Sequence, residues 1–468
     1  MTDSVETNEP VNEYEREPVP EKALLGFSSF IGQYAGEHTA GTELMLGPLF
    51  IASGVGAFDL VVGLLLGNLL AVLSWVLFTA PIATRARLTL YFQLEKICGR
   101  NLVTIYNLAN GIMFCFLAGA MVTVSATAFG VWFQFPMPSL TDLYPNSIGW
   151  VVAVLVVGAF ISVVAAYGYT VVARIANVAA PWMVLVFIAF GLVGVHQLGI
   201  HSFAEFWPKA QEIIWKGGAP LPGQVKFSFW HVLFFAWFCN MAMHIGMGDL
   251  SVFRYAKKSW YGVASASGMY LGHFIAWIAA SILYAVQLHA DPTNTDVLPG
   301  PLAYRACGVA GILCVWIAGW TTANPTIYRA GLAFQAIFPR SSRYRVTLMT
   351  GAVATVAGMF PAIAMKLLDF VALYGMILMP MGAVIFVDFW LSGRLGFQDR
   401  YAERTGITFN WAAGLTWWLT VASCLALVSV GHVQMFFVSL PGWFLAVVLY
   451  VVLSRLFQKK GVAAAIAA

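Results

Sequence analysis

A run of side chains able to do chemistry opens the first hydrophobic region of the chain, at residues 33–48. It holds two carboxylates, Glu37 and Glu43, and an imidazole at His38, together with two threonines, three glycines and a proline. A charged side chain at the centre of a bilayer costs on the order of 3 kcal/mol, so such a residue indicates function. The run predicts one half of a binding site within a membrane. The alternative is a polar cap on a helix that begins only near Leu49.

The glycines and the proline of this run favour a helix that is interrupted inside its span. Such interruptions are tolerated where the freed backbone lines a cavity or packs on protein. A second region of this kind lies at 237–249, where Asn240, His244, Gly246 and Gly248 interrupt an apolar run. The two are the first and sixth hydrophobic regions, which predicts two inverted repeats of five helices. An ordinary span with a glycine pair near its end is the alternative for the second.

The elements that would position these residues are membrane helices. The chain has 468 residues, of which 60% are hydrophobic and only 10% charged, and its mean hydropathy is +0.79. A soluble domain carries about 25% charged residues. The composition therefore predicts an all-α polytopic membrane protein, with membrane lipid around it. A net charge of +4 gives no indication of a nucleic-acid partner, and we predict none.

Apolar windows of roughly 20 residues predict twelve membrane spans. They lie at 27–57, 59–84, 102–133, 148–167, 170–199, 227–249, 260–289, 301–338, 346–365, 367–391, 410–431 and 433–457. Basic residues concentrate in the loops on one side, which places that side and both termini in the cytoplasm. We expect the chain to lie in the cytoplasmic (inner) membrane.

Motifs in four parts of the chain occur in the order and at the spacing of one known family. They are G-N-L-L at 67–70, V-F-R-Y at 252–255, W-T-T-A-N-P-T-I-Y-R-A-G-L at 320–332 and M-P-M-G-A-V-I-F-V-D-F at 379–389. Together they resemble the nucleobase–cation symporter-1 family, which is purine/cytosine permease-like, and most closely its cytosine permease branch. The order and spacing of the motifs across roughly 350 residues carry the resemblance.

The resemblance implies a fold and an activity. The fold is a ten-helix core of two inverted repeats, similar to the leucine-transporter (LeuT-like) type, with the first and sixth helices broken and two accessory helices added. The activity is import of a small nitrogen heterocycle, such as a nucleobase, driven by a cation through alternating access. No cofactor and no enzymatic activity are implied.

The chain is then expected to divide into four segments. A disordered cytoplasmic tail covers 1–26, and the transport core covers 27–391. A cytoplasmic loop and the two accessory helices cover 392–457, and a second cytoplasmic tail covers 458–468.

The resemblance also implies a cation site between the first and eighth spans. Sodium-coupled members bind the ion with carbonyl groups of both spans and two hydroxyl groups of the eighth. Here the carbonyls would belong to Glu37, Ala40 and Ala318, and the hydroxyls to Thr321 and Thr322. The alternative for the two hydroxyls is bonding to the preceding turn of their own helix. The paired threonines favour Na+ as the coupling ion, whereas the intramembrane carboxylates favour H+, and the choice stays open.

The Glu37 side chain adds a hypothesis about this site, because members of the family usually carry a small residue there. An ionised carboxylate would strengthen the attraction for a cation in a site of low dielectric constant. Alternatively it would itself carry the coupling proton. If it bonds a neighbouring helix instead, its role is structural.

A substrate site on the first, third and sixth spans is implied by the same resemblance. Its residues would be Gly41, Thr42, Glu43, Asn110, Gly111, Phe114, Asn240, Met241 and Ala242. Phe114 would stack on a planar ring, and Asn110 or Asn240 would bond its edge. Hydrogen bonding between helices is the alternative for both amides.

The chain departs from the cytosine pattern, in which an asparagine stands at the position of Ala318 and W-T-T-N-D-N at that of W-T-T-A-N-P. The amides that would read cytosine have therefore moved or gone. A carboxylate at Glu43 favours a cationic or amidine-like ligand, or would bond two ring N–H groups. The alternative function is a symporter of an amine or amino-acid-like cation on the same fold. No metal-protease motif and no repeated filter motif occurs in the sequence, which disfavours a membrane enzyme and a channel.

Overall fold

The computed structural model describes residues 13–458, without the side chains of residues 364–365 and 367–370. Within this range the chain is helical and contains no β-strand. Its helices are α1 (Phe27–His38), α2 (Glu43–Ala52), α3 (Ala57–Ser74), α4 (Ala80–Ala86), α5 (Leu90–Cys98), α6 (Arg100–Phe133), α7 (Ile148–Ala166), α8 (Tyr169–Gln197), α9 (Phe203–Lys209), α10 (Phe229–Phe238), α11 (Leu250–Phe253), α12 (Ile275–Ala290), α13 (Pro299–Ile337), α14 (Arg343–Gly358), α15 (Ala362–Met365), α16 (Leu367–Phe386), α17 (Ser392–Leu395), α18 (Tyr401–Thr405), α19 (Trp411–Ser429) and α20 (Met435–Phe457). Short 3₁₀ or π segments lie at Glu21–Ala23, Trp75–Thr79, Ala210–Ile214, Ser259–Ala264, Ser267–Phe274 and Val387–Leu391.

Nine helical stretches between residues 13 and 458 are long and apolar enough to cross a membrane. Three predicted spans are not among them. The first and sixth are each divided into two short helices, and the ninth corresponds to α14, which has 16 residues. The all-α class is thus confirmed, as are the breaks in the first and sixth spans, while the total of twelve spans stays a prediction.

The two broken spans lie side by side. The ring of Phe30 in α1 stacks on Phe253 of α11 at 5.4 Å, and Phe50 of α2 meets Phe235 of α10 edge-on at 5.7 Å. Each half of the first span therefore packs against the matching half of the sixth. This pairing places the two interruptions, residues 39–42 and 239–249, next to each other in the bundle.

A close approach of backbones explains the break in the first span. A Cβ atom on Gly41 would lie 3.0 Å from Cγ1 of Val124 and 3.2 Å from the carbonyl oxygen of Val315. Only glycine fits between the third and eighth spans at this point without displacing them. The helix ends just before, at Thr39, whose hydroxyl donates to the Ala35 carbonyl at 2.7 Å.

The break in the sixth span is a set of wide turns. The amides of Gly246 and Gly248 donate to the carbonyls of Met241 and Ala242, both at 2.8 Å, across more residues than an α-helix spans. Met247 between them has a φ of 64°, in the left-handed region. The glycines predicted to interrupt this span therefore form the turns that replace its helix.

Residues 13–26, predicted to belong to a disordered tail, make defined contacts at the end of the bundle where α1 begins. Glu13 is only 3% exposed. Its carboxylate accepts from the hydroxyls of Tyr328 at 2.8 Å and Tyr255 at 3.0 Å, and Arg254 lies 3.9 Å away. Buried donors on the sixth and eighth spans thus hold a segment that the sequence reads as polar and unstructured. Residues 1–12 and 459–468 of the predicted tails lie outside the described residues.

Candidate functional site

The oxygen atoms predicted to bind a cation come together where the eighth span meets the break in the first. The Thr321 hydroxyl lies 2.9 Å from the Gly36 carbonyl oxygen, and the Thr322 hydroxyl lies 2.9 Å from that of Glu37. Both hydroxyls also reach the Ala318 carbonyl, at 3.2 and 3.0 Å. The threonines therefore bond both to their own helix and across to the first span. We call this group of oxygens the hydroxyl–carbonyl cluster.

This cluster differs from the prediction at one position. The Ala40 carbonyl accepts from the Glu43 amide at 3.1 Å, where α2 begins, and the Gly36 carbonyl contacts the threonines instead. Among the described residues there is no group of three or more histidine, cysteine, aspartate or glutamate side chains able to hold a metal ion. Neutral carbonyl and hydroxyl oxygens are the type of ligand that alkali cations take in transporters and channels.

The Glu37 carboxylate points away from the threonines and forms an ion pair. Arg329 of the eighth span binds it with two nitrogens, at 2.5 and 3.2 Å, and the Gln33 amide donates to it at 3.3 Å. Two parallel bonds between a guanidinium and a carboxylate fix both groups in one orientation. The side chain thus bonds a neighbouring helix, which was the structural alternative of the sequence hypothesis.

Arg329 also binds a second carboxylate, which belongs to the sixth span. Its guanidinium donates to Asp249 at 2.7 Å. The other oxygen of Asp249 accepts from the Tyr34 hydroxyl at 2.6 Å and from the Trp75 indole at 2.7 Å. All of these groups are buried. Glu37, Arg329 and Asp249 form what we call the ion triad, which joins the first, sixth and eighth spans.

A separate polar group lies on the other side of the break in the first span. The Glu43 carboxylate accepts from the Trp277 indole, and its other oxygen lies 3.9 Å from Nε2 of His273. The Asn240 amide lies 3.5 Å from the same nitrogen. The His273 ring stacks on Trp277 at 4.3 Å and meets His38 edge-on at 4.9 Å. The first, sixth and seventh spans therefore contribute a carboxylate, an amide and an imidazole to one buried group.

A cavity of about 400 Å³ reaches the break of the sixth span at Cys239 and Met241, at the opposite end of the bundle from residues 13–26. Leu49 of α2, Phe235 of α10, Cys239 and Met241 line it, together with residues of the loop before the sixth span and of α16, α19 and α20. Met241 was predicted to contact substrate, and Cys239 precedes Asn240 in the chain. The cavity thus reaches the break of the sixth span from one side only.

Three predicted substrate residues lie elsewhere. The Asn110 amide donates to the Tyr91 hydroxyl at 3.1 Å, and the Phe114 ring packs on Tyr374 at 4.8 Å. A Cβ on the neighbouring Gly111 would collide with a phenylalanine ring of the eighth span. The third-span residue nearest Gly41 is Val124, ten to fourteen residues further along the helix, which corresponds to roughly 15–21 Å.

The remaining predicted residues lie at the breaks themselves. Gly41 packs against the third and eighth spans, and Thr42 is buried where α2 begins. The Ala242 carbonyl takes part in the wide turns of the sixth span. The structure therefore brings Gly41, Thr42 and Glu43 near the break at Asn240. It does not bring Asn110, Gly111 and Phe114 to the same place.

Sequence reasoning assigned no role to Arg329, Asp249 or His273. All three are polar side chains within apolar spans, and such residues are expected to find buried partners. That signal was available in the sequence. The identity of the partners was not, because Arg329 and Asp249 are separated by 80 residues and meet only in the folded bundle.

Solved structures share this architecture. No family model matches the chain, and no curated protein sequence does. A closed conformation of Mhp1, a nucleobase–cation-symport-1 family transporter with bromovinylhydantoin bound, superposes with a TM-score of 0.70 at 15% identity, over 96% of this chain and 97% of that one. The inward-facing conformation of Mhp1 gives 0.66 at 14% identity, over 96% and 95%.

A second kind of transporter is equally similar in fold. A substrate-bound, outward-open Na+-coupled sialic acid symporter superposes with a TM-score of 0.69 at 13% identity, over 96% of this chain and 93% of that one. These identities are low, so the likeness concerns the path of the chain. The predicted LeuT-like fold is confirmed, the cytosine permease branch stays a prediction, and this chain has the fold of the nucleobase–cation-symport-1 transporter Mhp1.

Proposed function

We propose that the protein is a secondary transporter that imports a small nitrogen heterocycle together with a cation by alternating access, without converting its substrate chemically. The observation that carries the proposal is the hydroxyl–carbonyl cluster, in which Thr321 and Thr322 meet the break in the first span. A symporter needs a cation site beside the point where its helices change arrangement. The similar structures include a Na+-coupled symporter and Mhp1 in two conformations, which supports this reading.

The substrate is proposed to bind between Glu43, Asn240 and His273. A carboxylate accepts hydrogen bonds, an amide both donates and accepts, and a neutral imidazole does one of each at its two nitrogens. A planar heterocycle with ring N–H groups offers the complementary pattern. The same carboxylate favours the second candidate, an amine or amino-acid-like cation, because its partners in the described part of the chain are an indole and an imidazole and not a lysine or arginine.

Orientation follows from the loops and the cavity. We propose that residues 13–26 lie on the cytoplasmic side of the inner membrane, where the basic loops are, with both termini. The cavity of about 400 Å³ would then open outward. The opposite side is closed by the ion triad and by the contacts of Glu13. This arrangement corresponds to a state that admits substrate from outside.

Uptake into proteoliposomes tests the function. A panel of nucleobases and related heterocycles is compared with a panel of amines and amino acids, under separate Na+ and pH gradients. We expect concentrative uptake of one panel, driven by one gradient. Uptake of neither panel under either gradient would contradict the proposal, and the panel transported decides between the two substrate classes.

A matched pair of variants tests the cation site. Thr322→Val removes a hydroxyl of the cluster and is expected to abolish cation-driven accumulation, because the hydroxyl oxygen is one of its ligands. Thr416→Val is the control, since that buried hydroxyl bonds only the Ala412 carbonyl of its own helix, at 2.7 Å. If Thr322→Val accumulates substrate as the control does, the cluster is not the cation site.

A further inference from the structure

Glu37 belongs both to the hydroxyl–carbonyl cluster and to the ion triad. Its carbonyl belongs to the hydroxyl–carbonyl cluster, 2.9 Å from the Thr322 hydroxyl. Its carboxylate belongs to the ion triad and is bound by Arg329 with two nitrogens. Because Arg329 fixes the carboxylate in one orientation, it also restrains the position of the residue whose carbonyl contacts Thr322. The geometry of the cluster therefore depends on a side-chain contact outside it.

Arg329 extends this link to the helices that close the amino-terminal end. The same guanidinium binds Asp249 of the sixth span, which Tyr34 of the first span and Trp75 of the second span also hold. One side chain of the eighth span thus adds a link to the first and sixth spans directly, and to the second span through Asp249. Separation of these spans from the eighth requires that Arg329 release both carboxylates.

The net charge of the ion triad favours a cation in the adjacent cluster. Two carboxylates and one guanidinium carry a net charge of −1 when all are ionised. A buried charge without compensation is unfavourable. A monovalent cation in the adjacent cluster would compensate it, so an occupied cation site and an intact ion triad stabilise each other.

We propose that Arg329 is a positioning residue for cation coupling, because it holds the Glu37 carbonyl in the cation site and makes closure of the cytoplasmic end depend on the cation. The inference rests on the proposed function. It assigns to Arg329 the role of coupling cation binding to the position of the sixth span, which the hydroxyl–carbonyl cluster alone would not do.

Cys239 provides a native reporter of the conformation. It is half-buried and lines the cavity at the opposite end of the bundle. Cys307, the other half-buried cysteine of the described residues, is replaced by serine in every sample. The rate at which a small membrane-impermeant thiol reagent modifies Cys239 from outside then measures how much of the protein is open outward. In the parent we expect the cation that drives uptake to raise this rate.

The test compares three variants in liposomes, with the driving cation titrated alone. Arg329→Gln is expected to raise the half-saturating cation concentration at least roughly fivefold, the lower limit of typical coupling. It is also expected to slow Cys239 modification and to remove its response to the cation. Arg329→Lys, which retains the charge, is expected to restore part of the response. Arg404→Gln is the control, because that arginine pairs with Asp399 at 2.6 Å, outside both the triad and residues 13–26.

The outcomes separate this inference from the proposed function. If the parent shows no response to Na+ or H+ in labelling or uptake, the proposed function fails and the inference fails with it. If the parent responds and Arg329→Gln responds equally, with the same half-saturation, only the inference is overturned. Should Arg329→Gln fold too poorly to measure, Glu37→Gln takes its place, since it weakens the same contact and keeps the carbonyl. A parent-like cation response of Glu37→Gln would overturn the inference.

Discussion

Replacing Glu13 with alanine removes the carboxylate that fastens residues 13–26 to the end of the bundle. That carboxylate accepts from the Tyr328 and Tyr255 hydroxyls at 2.8 and 3.0 Å, and from the Tyr169 amide at 3.1 Å. Arg254 adds an opposite charge at 3.9 Å. The variant leaves these donors buried without their acceptor. We expect it to weaken closure of this end without altering the cation or substrate sites.

The size of the effect follows from the contacts. Hydrogen bonds to a charged group contribute about 1.5–3 kcal/mol each, and loss of one partner from a buried ionic group costs about 3–5 kcal/mol. When this end of the bundle opens, water replaces part of what the three hydrogen bonds contribute. We therefore take about 3–4 kcal/mol for the change that Glu13→Ala makes in the free energy of opening. At about 1.4 kcal/mol per factor of ten, the equilibrium shifts roughly 100- to 1,000-fold toward the state in which this end is open.

Cysteine accessibility measures this shift. Ala256 is 1% exposed and pairs with Leu25, so the segment 13–26 covers it. Ala256→Cys is introduced where Cys239 and Cys307 are replaced by serine, and its modification is followed from the side of the membrane on which residues 13–26 lie. The rate is expected to rise with the open fraction in Glu13→Ala.

A control within the same segment isolates the cause. Glu21 is 3.6 Å from Arg87 and its side chain is 87% exposed, and an exposed pair of this kind contributes little. Glu21→Ala should therefore leave the rate unchanged. If Glu13→Ala is modified within twofold of the Glu21→Ala rate, the segment does not hold the end closed and the reasoning is refuted.

Three further substitutions have defined outcomes. Gly47→Ala is expected to cost about 1–3 kcal/mol of stability, because its Cβ would lie 2.6 Å from the Trp277 carbonyl oxygen. Thermal unfolding measures this cost against Gly393→Ala, whose Cβ meets nothing within 4 Å. Equal unfolding midpoints for the two variants would contradict the prediction. Phe114→Ala should cost about 3–5 kcal/mol of stability and leave substrate affinity unchanged, and weaker binding would return Phe114 to the substrate site. Glu43→Gln should weaken binding of cationic ligands at least about tenfold and of neutral analogues much less, since charge-assisted bonds are roughly twice as strong as neutral ones; equal losses for both would show that Glu43 does not select charge.

The breaks in the first and sixth spans were predictable because their cause is local. Gly41, Gly246 and Gly248 lie in apolar runs, where glycine is unfavourable inside an uninterrupted helix. The structure shows a close approach to neighbouring spans at Gly41 and wide turns at the other two. Thr321 and Thr322 were found from a motif whose spacing is a property of one helix. In each case the informative residues lie within a few turns of one another.

The partners across helices could not be read in the same way. Spacing carried over from related sequences predicted Asn110 and Phe114 at the substrate, but α6 has 34 residues, and the level of the bundle at which each of them lies depends on packing. Spacing could not choose among the roles open to the Glu37 carboxylate, because its partner, Arg329, lies 292 residues away. Order in residues 13–26 was missed because a polar segment can be held entirely by buried donors on other helices.

The use of ion pairs to close one end suits a protein that must reopen it. Paired and buried, the carboxylates of Glu13, Glu37 and Asp249 lose their hydration, and their attraction to arginine roughly offsets that loss. When the end opens, water solvates the same groups again, so the closed and hydrated states differ by less than the individual bonds suggest. A seal made of apolar side chains would lack this compensation, since opening it exposes apolar surface to water. A ligand shifts such an equilibrium only by its difference in affinity for the two states. Near-balance between the two states would therefore let the modest binding energy of the proposed cation and substrate decide which side is open.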